Sequence, residues 1–270
     1  MLVWHQESDH DSTLVYLKER FENIWKQSDC RLFAGTDDPE GREALARCRT
    51  EVAEEFGTRL YQFNPLQETT VAGQITLLAG GFAAARKSPA LWQQICTVMT
   101  GARSEVAIQT PFVMCDREML TGLRTVCGTV KKLCLLTNTS ENRVNPLGAD
   151  YANQRSALLQ TGAVVYEYGG EKPMHTKTIL IDDSICMIGS FNLDNRSAYL
   201  DTEIMLVIQC PQLNELLYKQ IMDLQKKSLC IAPNGQMHEG EAYKEAWRSP
   251  GERIADLLLQ KTLRPFEYLL

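Results

Sequence analysis

Between residues 75 and 228, short apolar runs alternate with amphipathic helical stretches, and this alternation restricts the chain to an α/β fold. The strand candidates are ITLLAG (75–80), VAIQTPFV (106–113), VKKLCLLTNT (130–139), AVVYEY (163–168) and TEIMLVIQ (202–209). Apolar spacing predicts helices over 89–99, with Pro89 near the first turn, then over 117–126, 150–160 and 213–224. Strands separated by helices of that length form parallel pairs, since a tight turn joins only antiparallel neighbours. TKTILID and SICMIGS are the exception: they meet around Asp182-Asp183-Ser184 and predict a hairpin.

That hairpin lies inside HTKTILIDDSICMIGSFN, residues 175–192, which carries the chemistry. His175 and Lys177 are two apart on a strand pattern, so both side chains leave one face. An imidazole beside an ammonium on a rigid element suits a phosphate anion. One group attacks phosphorus or passes a proton while the other offsets charge. Ser190 and Asn192 add neutral donors, and Gly189 allows close backbone approach. Glu203, on the following strand pattern, is placed to hydrogen-bond the distal imidazole nitrogen and fix its tautomer, with Asp201 as its competitor. Asp194 and Arg196, in NLDNRS, pair with one another or position the loop.

HxKxxxxD followed by GSxNxDxRS resembles the phospholipase D superfamily, and IQTPFVMCDREMLTGLR (108–124) is similar to the strand and helix that open the second repeat in its bacterial cardiolipin synthase branch. The resemblance covers about residues 75–228, with a weaker match over 1–28 to the end of a first repeat. It implies a mixed β-sheet flanked by helices on both faces, as one complete repeat plus the tail of another. It also implies a phosphodiesterase or phosphatidyltransferase acting on phospholipid through a phosphohistidine intermediate, without metal or cofactor. On this sequence His175 becomes nucleophile or general acid, Lys177, Ser190 and Asn192 phosphate ligands, and Glu203 the imidazole partner; Asp182 supports the fold and the lysine. One motif is present where members of that branch carry two. The implied partner is a second motif copy, from a homodimer or a separate N-terminal half.

An internal echo fits that reading. MLV (205–207) and a helix bearing Leu216, Leu217, Ile221, Leu224, Lys226 and Ser228 parallel MLV (1–3) and a helix bearing Tyr16, Leu17, Phe21, Ile24, Lys26 and Ser28. The expected organisation is a strand-helix tail of a first repeat over 1–30, a helical linker over 31–74, a catalytic domain over 75–228 and a helical tail over 229–270. The end of that tail, SPGERIADLLLQKTLRPFEYLL, has an apolar stripe but only three basic residues, which favours packing on the domain over lying in a membrane interface.

Charge and cysteines narrow the function further. A net charge of −6 makes nucleic acid an improbable substrate, because a nonspecific binder needs a basic surface to displace counterions. A dimeric phosphodiesterase or nuclease of the same superfamily therefore ranks second, and an inactive half-protein or partner subunit third. The nine cysteines are scattered singly, with no C-x-x-C and no basic leader, which points to reduced thiols in the cytoplasm, with peripheral contact at the inner membrane surface. Neither cysteines nor histidines show metal-ligand spacing. His5, His10 and His238 read as structural residues, Gly80-Gly81 as a turn, and TNTSENRVN (137–145) as a loop at the edge of the site.

Overall fold

The computed structural model describes residues 12–28, 30–31, 38–62, 70–82, 86–139, 148–170 and 172–243, and the chain divides into two compact units, 1–71 and 72–270. The first unit contains α1 (Ser12–Trp25) and α2 (Pro39–Gln62). α1 is the helix of the internal echo, and α2 lies within the stretch expected to be helical over 31–74. Phe21 and Trp25, one turn apart on α1, stack with centroids 6.2 Å apart and remain exposed. The MLVW strand of the internal echo and the 244–270 part of the tail lie outside the described residues.

The second unit is built on eleven described strands: β1 (Gln74–Ala79), β2 (Glu105–Gln109), β3 (Val113–Met114), β4 (Lys132–Asn138), β5 (Val164–Tyr168), β6 (Thr178–Ile181), β7 (Ile185–Gly189), β8 (Leu193–Asp194), β9 (Ile204–Gln209), β10 (Ser228–Ile231) and β11 (Met237–Glu239). Its helices are α3 (Ala90–Thr100), α4 (Arg117–Thr129), α5 (Gly148–Leu159), α6 (Asn195–Tyr199) and α7 (Pro211–Gln225). Nine strands form one sheet in the order β1-β9-β7-β6-β2-β4-β5-β10-β11, and β3 pairs with β8 separately. Only β2, β4 and β5 run parallel within the large sheet, and these are the strands joined by helical crossovers through α4 and α5. The other neighbours are antiparallel, so the sheet is mixed as expected.

Side chains alternate between two cores with period two. Val106, Ile108, Leu133, Leu135, Ile179, Ile181 and Met187 join the core built with α3, α4, α5 and α6, through Trp92, Ile95, Met119, Leu123, Leu158 and Ala198. Ala107, Cys134, Leu136, Leu180 and Cys186 join the opposite core with Ile221 and Leu217 of α7. Cys115, Cys134, Cys186 and Cys210 are buried, and all nine thiols are free. No described helix is long and apolar enough to cross a membrane.

Two boundaries depart from expectation. VAIQTPFV is not one strand: the main sheet releases it after Gln109, and β3 restarts at Val113 against β8. Pro111, which has no N–H to donate, sits in the break. Residues 229–243 are not helical either. They form most of β10 and then β11, joined through Pro233, Asn234 and a Gly235 with φ +83, a backbone that glycine alone adopts readily.

The predicted hairpin is present, with β6 and β7 joined through Asp182-Asp183-Ser184. Asp182 has φ +50, and its carboxylate accepts the backbone N–H groups of Arg103 (2.8 Å), Ser104 (2.8 Å) and Glu105 (3.0 Å), locking the turn onto the start of β2. Burial pushes this carboxyl up, but those N–H bonds and the Arg103 charge outweigh it and hold the group below its ordinary 3.8. A depressed folded value gives stability that is complete above 3.8 and is lost as pH falls through the folded value. Asp182→Ala is therefore expected to cost about 1 kcal/mol at neutral pH through loss of the charge-assisted bonds to these N–H groups, which water partly replaces. Urea titrations across a pH series should show the gap to wild type narrowing in acid; a gap independent of pH would refute this account.

Candidate active site

His175 and Lys177 lie in the extended segment that enters β6, and Thr178 opens the ladder opposite Gln109, the last residue of β2. The pair thus stands at the carboxyl end of the parallel strands, where α/β sheets place their ligands. Alternation continues backward from Ile181 and Ile179, putting both side chains on the face of the larger helical layer. Lys177 Nζ is 3.1 Å from His175 Nδ1 and 3.4 Å from Nε2, and it donates to the His175 carbonyl at 3.1 Å. The imidazole is exposed and the lysine half-buried. Phe112 meets the imidazole edge-on, with centroids 5.9 Å apart and planes at 78°.

The electrostatics favour a neutral imidazole. Partial burial, then the Lys177 charge, lowers the His175 pKa below its ordinary 6.5. Burial also lowers that of Lys177, opposed by the negative charges of Glu203 and Asp194. Those two carboxylates are buried and share Ser197: its hydroxyl donates to Glu203 Oε1 at 2.9 Å, and its N–H donates to Asp194 Oδ1 at 2.7 Å. Asp194 is thereby the N-cap of α6. Its carboxyl is pushed up to about 6, chiefly by burial and further by Glu203 and Asp201, against the Ser197 bonds.

The structure gives the four acidic residues their partners, not all of them the expected ones. Glu203 does not bond the imidazole; it accepts from Ser197 and acts electrostatically on Lys177. It sits just ahead of β9, only 7% exposed, with Ser197 of α6 taking its oxygen. Asp201, its competitor, pairs instead with Arg196 at 2.8 Å on the surface. Asp194 therefore does not pair with Arg196 and holds the loop by capping. Asp182 closes the opposite end of β6, about 16 Å along the strand from Lys177, and makes no contact with it that supports the site.

The 190–192 loop reaches the site by continuing a ladder. Gly189 N donates to the Lys177 carbonyl at 3.3 Å, so the residues that follow β7 run beside the His175 segment. A Cβ on Gly189 would lie 2.1 Å from the Ile204 carbonyl, which leaves no room for a side chain. The Ser190 hydroxyl is engaged with Ile204, accepting its N–H at 3.1 Å and donating to its carbonyl at 3.4 Å. Asn192 donates its backbone N–H to Ser197 Oγ at 3.1 Å, while its Oδ1 is buried with no hydrogen-bond partner among the described residues. No group of three His, Cys, Asp or Glu among the described residues could hold a metal ion.

Phe112, Asn138 and Ser197 belong to this neighbourhood and were not singled out by sequence. Ser197 ends the GSxNxDxRS stretch and Phe112 lies within 108–124, so both stood inside the segments that carried the resemblance. Asn138 opens the loop expected at the site edge; residues 140–147 of that loop lie outside the described residues.

An exposed His-x-Lys at the carboxyl end of the parallel strands, followed by a glycine-tight turn and an Asn loop, is the arrangement that the resemblance to the phospholipase D superfamily implies. Residues 95–224 match the family model described as cardiolipin synthase, PLD-like domain. The chain is 32% identical over 151 residues to cardiolipin synthase 1 of Bacillus cereus, a match covering 54% of this chain and 28% of that protein. It is 28% identical over 165 residues to cardiolipin synthase C of Escherichia coli, covering 54% and 35%. The match thus spans about a third or less of these relatives' length. Among solved structures, the phospholipase D family member Nuc from Salmonella typhimurium aligns with TM-score 0.47 and 12% identity over 62% of this chain and 99% of that one. Phosphatidylserine synthase from Haemophilus influenzae aligns with TM-score 0.47 and 18% identity over 73% and 48%.

Because burial and Lys177 both lower the imidazole pKa, NMR titration of the His175 ring should give a midpoint under 6.5. Lys177→Met removes the cation and should move that midpoint upward. An unchanged or lower midpoint in the variant would show that the 3.1 Å contact does not exist in solution.

Proposed function

We propose that this chain supplies one catalytic half of a phospholipase D-type phosphodiesterase or phosphatidyltransferase acting on phospholipid, of the cardiolipin synthase kind. The observation that carries the reading is the exposed, neutral imidazole of His175 held 3.1 Å from the Lys177 ammonium. In the first step an imidazole nitrogen attacks phosphorus, a P–N bond forms, and the P–O bond to the leaving alcohol breaks. Lys177 offsets charge on the non-bridging oxygens, and the amide of Asn192, with its unpartnered buried Oδ1, supplies a neutral contact. Ser190 has the same role through its hydroxyl. In the second step an alcohol or water attacks the phosphohistidine, a P–O bond forms as the P–N bond breaks, its proton passes to the base that protonated the leaving oxygen, and the free imidazole returns. Glu203 serves through Lys177, whose charge it stabilises, and Asp182 serves the hairpin.

The leaving oxygen needs a proton from the face opposite the nucleophile, and one imidazole cannot stand on both faces. The other histidine among the described residues, His238, is exposed on the edge strand β11, beyond β5 and β10 from the site. We therefore assign the second imidazole to another motif copy, in a homodimer or on a separate N-terminal half, with residues 75–228 as the catalytic unit and 1–30 as the tail of a first repeat. A net charge of −6 argues against nucleic acid as the substrate, and with a phospholipid substrate we assign the protein to the cytoplasm with peripheral contact at the inner membrane surface.

In an assembly containing both copies, His175→Ala or His175→Asn should abolish phosphodiester cleavage without changing the far-ultraviolet circular dichroism. Lys177→Ala should reduce turnover by about 100-fold or more. Excess chelator should leave the rate unchanged, and the chain as a monomer should turn over little substrate. Robust phospholipid cleavage by the monomer, or by His175→Ala, would reject the mechanism, and cleavage of DNA in preference to phospholipid would reject the substrate class.

A further inference from the structure

We propose that Asn138 is a positioning residue for His175, gripping with one amide both the backbone before His175 and the backbone before Phe112. Its Nδ2 donates to the Met174 carbonyl at 2.9 Å and to the Pro111 carbonyl at 3.1 Å, while its Oδ1 accepts the Met174 N–H at 2.8 Å. These partners allow one amide orientation only, since an N–H needs an oxygen and two carbonyls need donors. The two bonds to Met174 resemble a ladder pair made by a side chain, and they act where the regular ladder is absent, because β6 starts only at Thr178.

Each gripped residue is itself anchored. Met174 is 7% exposed in the core shared with α7, with Gln109 Nε2 3.0 Å from its sulfur. Pro111 is flanked by Thr110, whose hydroxyl donates to the Phe112 carbonyl at 3.0 Å and accepts the Leu193 N–H at 3.2 Å. One residue beyond each grip, the His175 ring meets the edge of Phe112. An exposed imidazole has little packing of its own, so its placement is set by its backbone and by such a contact. Aspartate has no donor for the two carbonyls, and alanine loses all three bonds.

This inference rests on His175 being the reacting group, and its test separates the two. The full chain should be prepared as wild type, Asn138→Ala and Asn138→Asp, with fold checked by circular dichroism. Histidine NMR should show the His175 midpoint rising toward its ordinary value in both variants, with loss of the Phe112 ring-current shift. With bis(4-nitrophenyl) phosphate and a second motif copy, kcat should fall about 100-fold while KM changes by less than about twofold. Folded variants that keep the wild-type titration, ring shift and kcat would overturn the proposal; if alanine fails to fold, the aspartate variant decides alone. A changed titration in a wild-type assembly that never cleaves phosphodiesters would sustain the positioning role and defeat the functional reading instead.

Discussion

A half-buried ammonium that faces an imidazole is stable only if negative charge lies behind it, and here that charge is the buried pair Glu203 and Asp194. Burying two carboxylates near one another is itself costly, and the residues from 192 to 203 are organised to offset that cost. Ser197 gives its hydroxyl to one carboxylate and its N–H to the other. The five-residue α6 exists where it does because Asp194 caps it, so a helix end and an electrostatic support are one object. Arg196 pairs directly with Asp201 on the surface and feels Asp194 and Glu203 only at longer range, while Lys177 faces the same two acids from the site.

The same economy of parts governs the β6–β7 hairpin. One strand carries polar residues at its two ends for unlike purposes: His175 and Lys177 at the entrance, where the parallel strands end, and Asp182 at the exit, where three N–H groups tie the turn to β2. Between them Thr178–Ile181 is wholly buried and feeds both cores in alternation. A slip of one residue would move the imidazole and the ammonium to the α7 face and force Ile179 and Ile181 into the opposite core in place of Leu180. The turn lock therefore protects the register on which the distant pair depends, which is a physical reason for an aspartate that touches no reacting atom to recur in the motif.

Much of this was legible in the sequence because periodicity and spacing are local. The His-x-Lys parity, the hairpin and the helical crossovers each follow from residues within a few positions of one another. The partner of Glu203 was not legible: strand order brings it near the site, but a choice between His175, Lys177 and Ser197 depends on the depth of one side chain beneath a short helix. β10 and β11 were missed because SLCI and MHE are too short to show a period against the helix before them. Asn138 escaped for a different reason. Its bonds join residues 27 and 36 positions away, and side chain to backbone contacts of that span leave no pattern along the chain.

Charge also bears on the proposed second motif copy. Lys177 contributes one positive charge against two acidic groups, of which Asp194, at about 6, is mostly ionised at neutral pH. A phosphodiester would add another negative charge to a neighbourhood that is already net negative. His175, its pKa lowered by partial burial and by the Lys177 charge, cannot compensate without ceasing to be a nucleophile. The Asn192 amide offers dipoles only, and Arg196 is spent on Asp201. On the proposed mechanism, binding would draw on cationic groups beyond Lys177, and a second His-x-Lys brought face to face would provide a second ammonium together with the proton donor. Under the proposed mechanism, charge and the two faces of phosphorus thus ask for the same pair of residues.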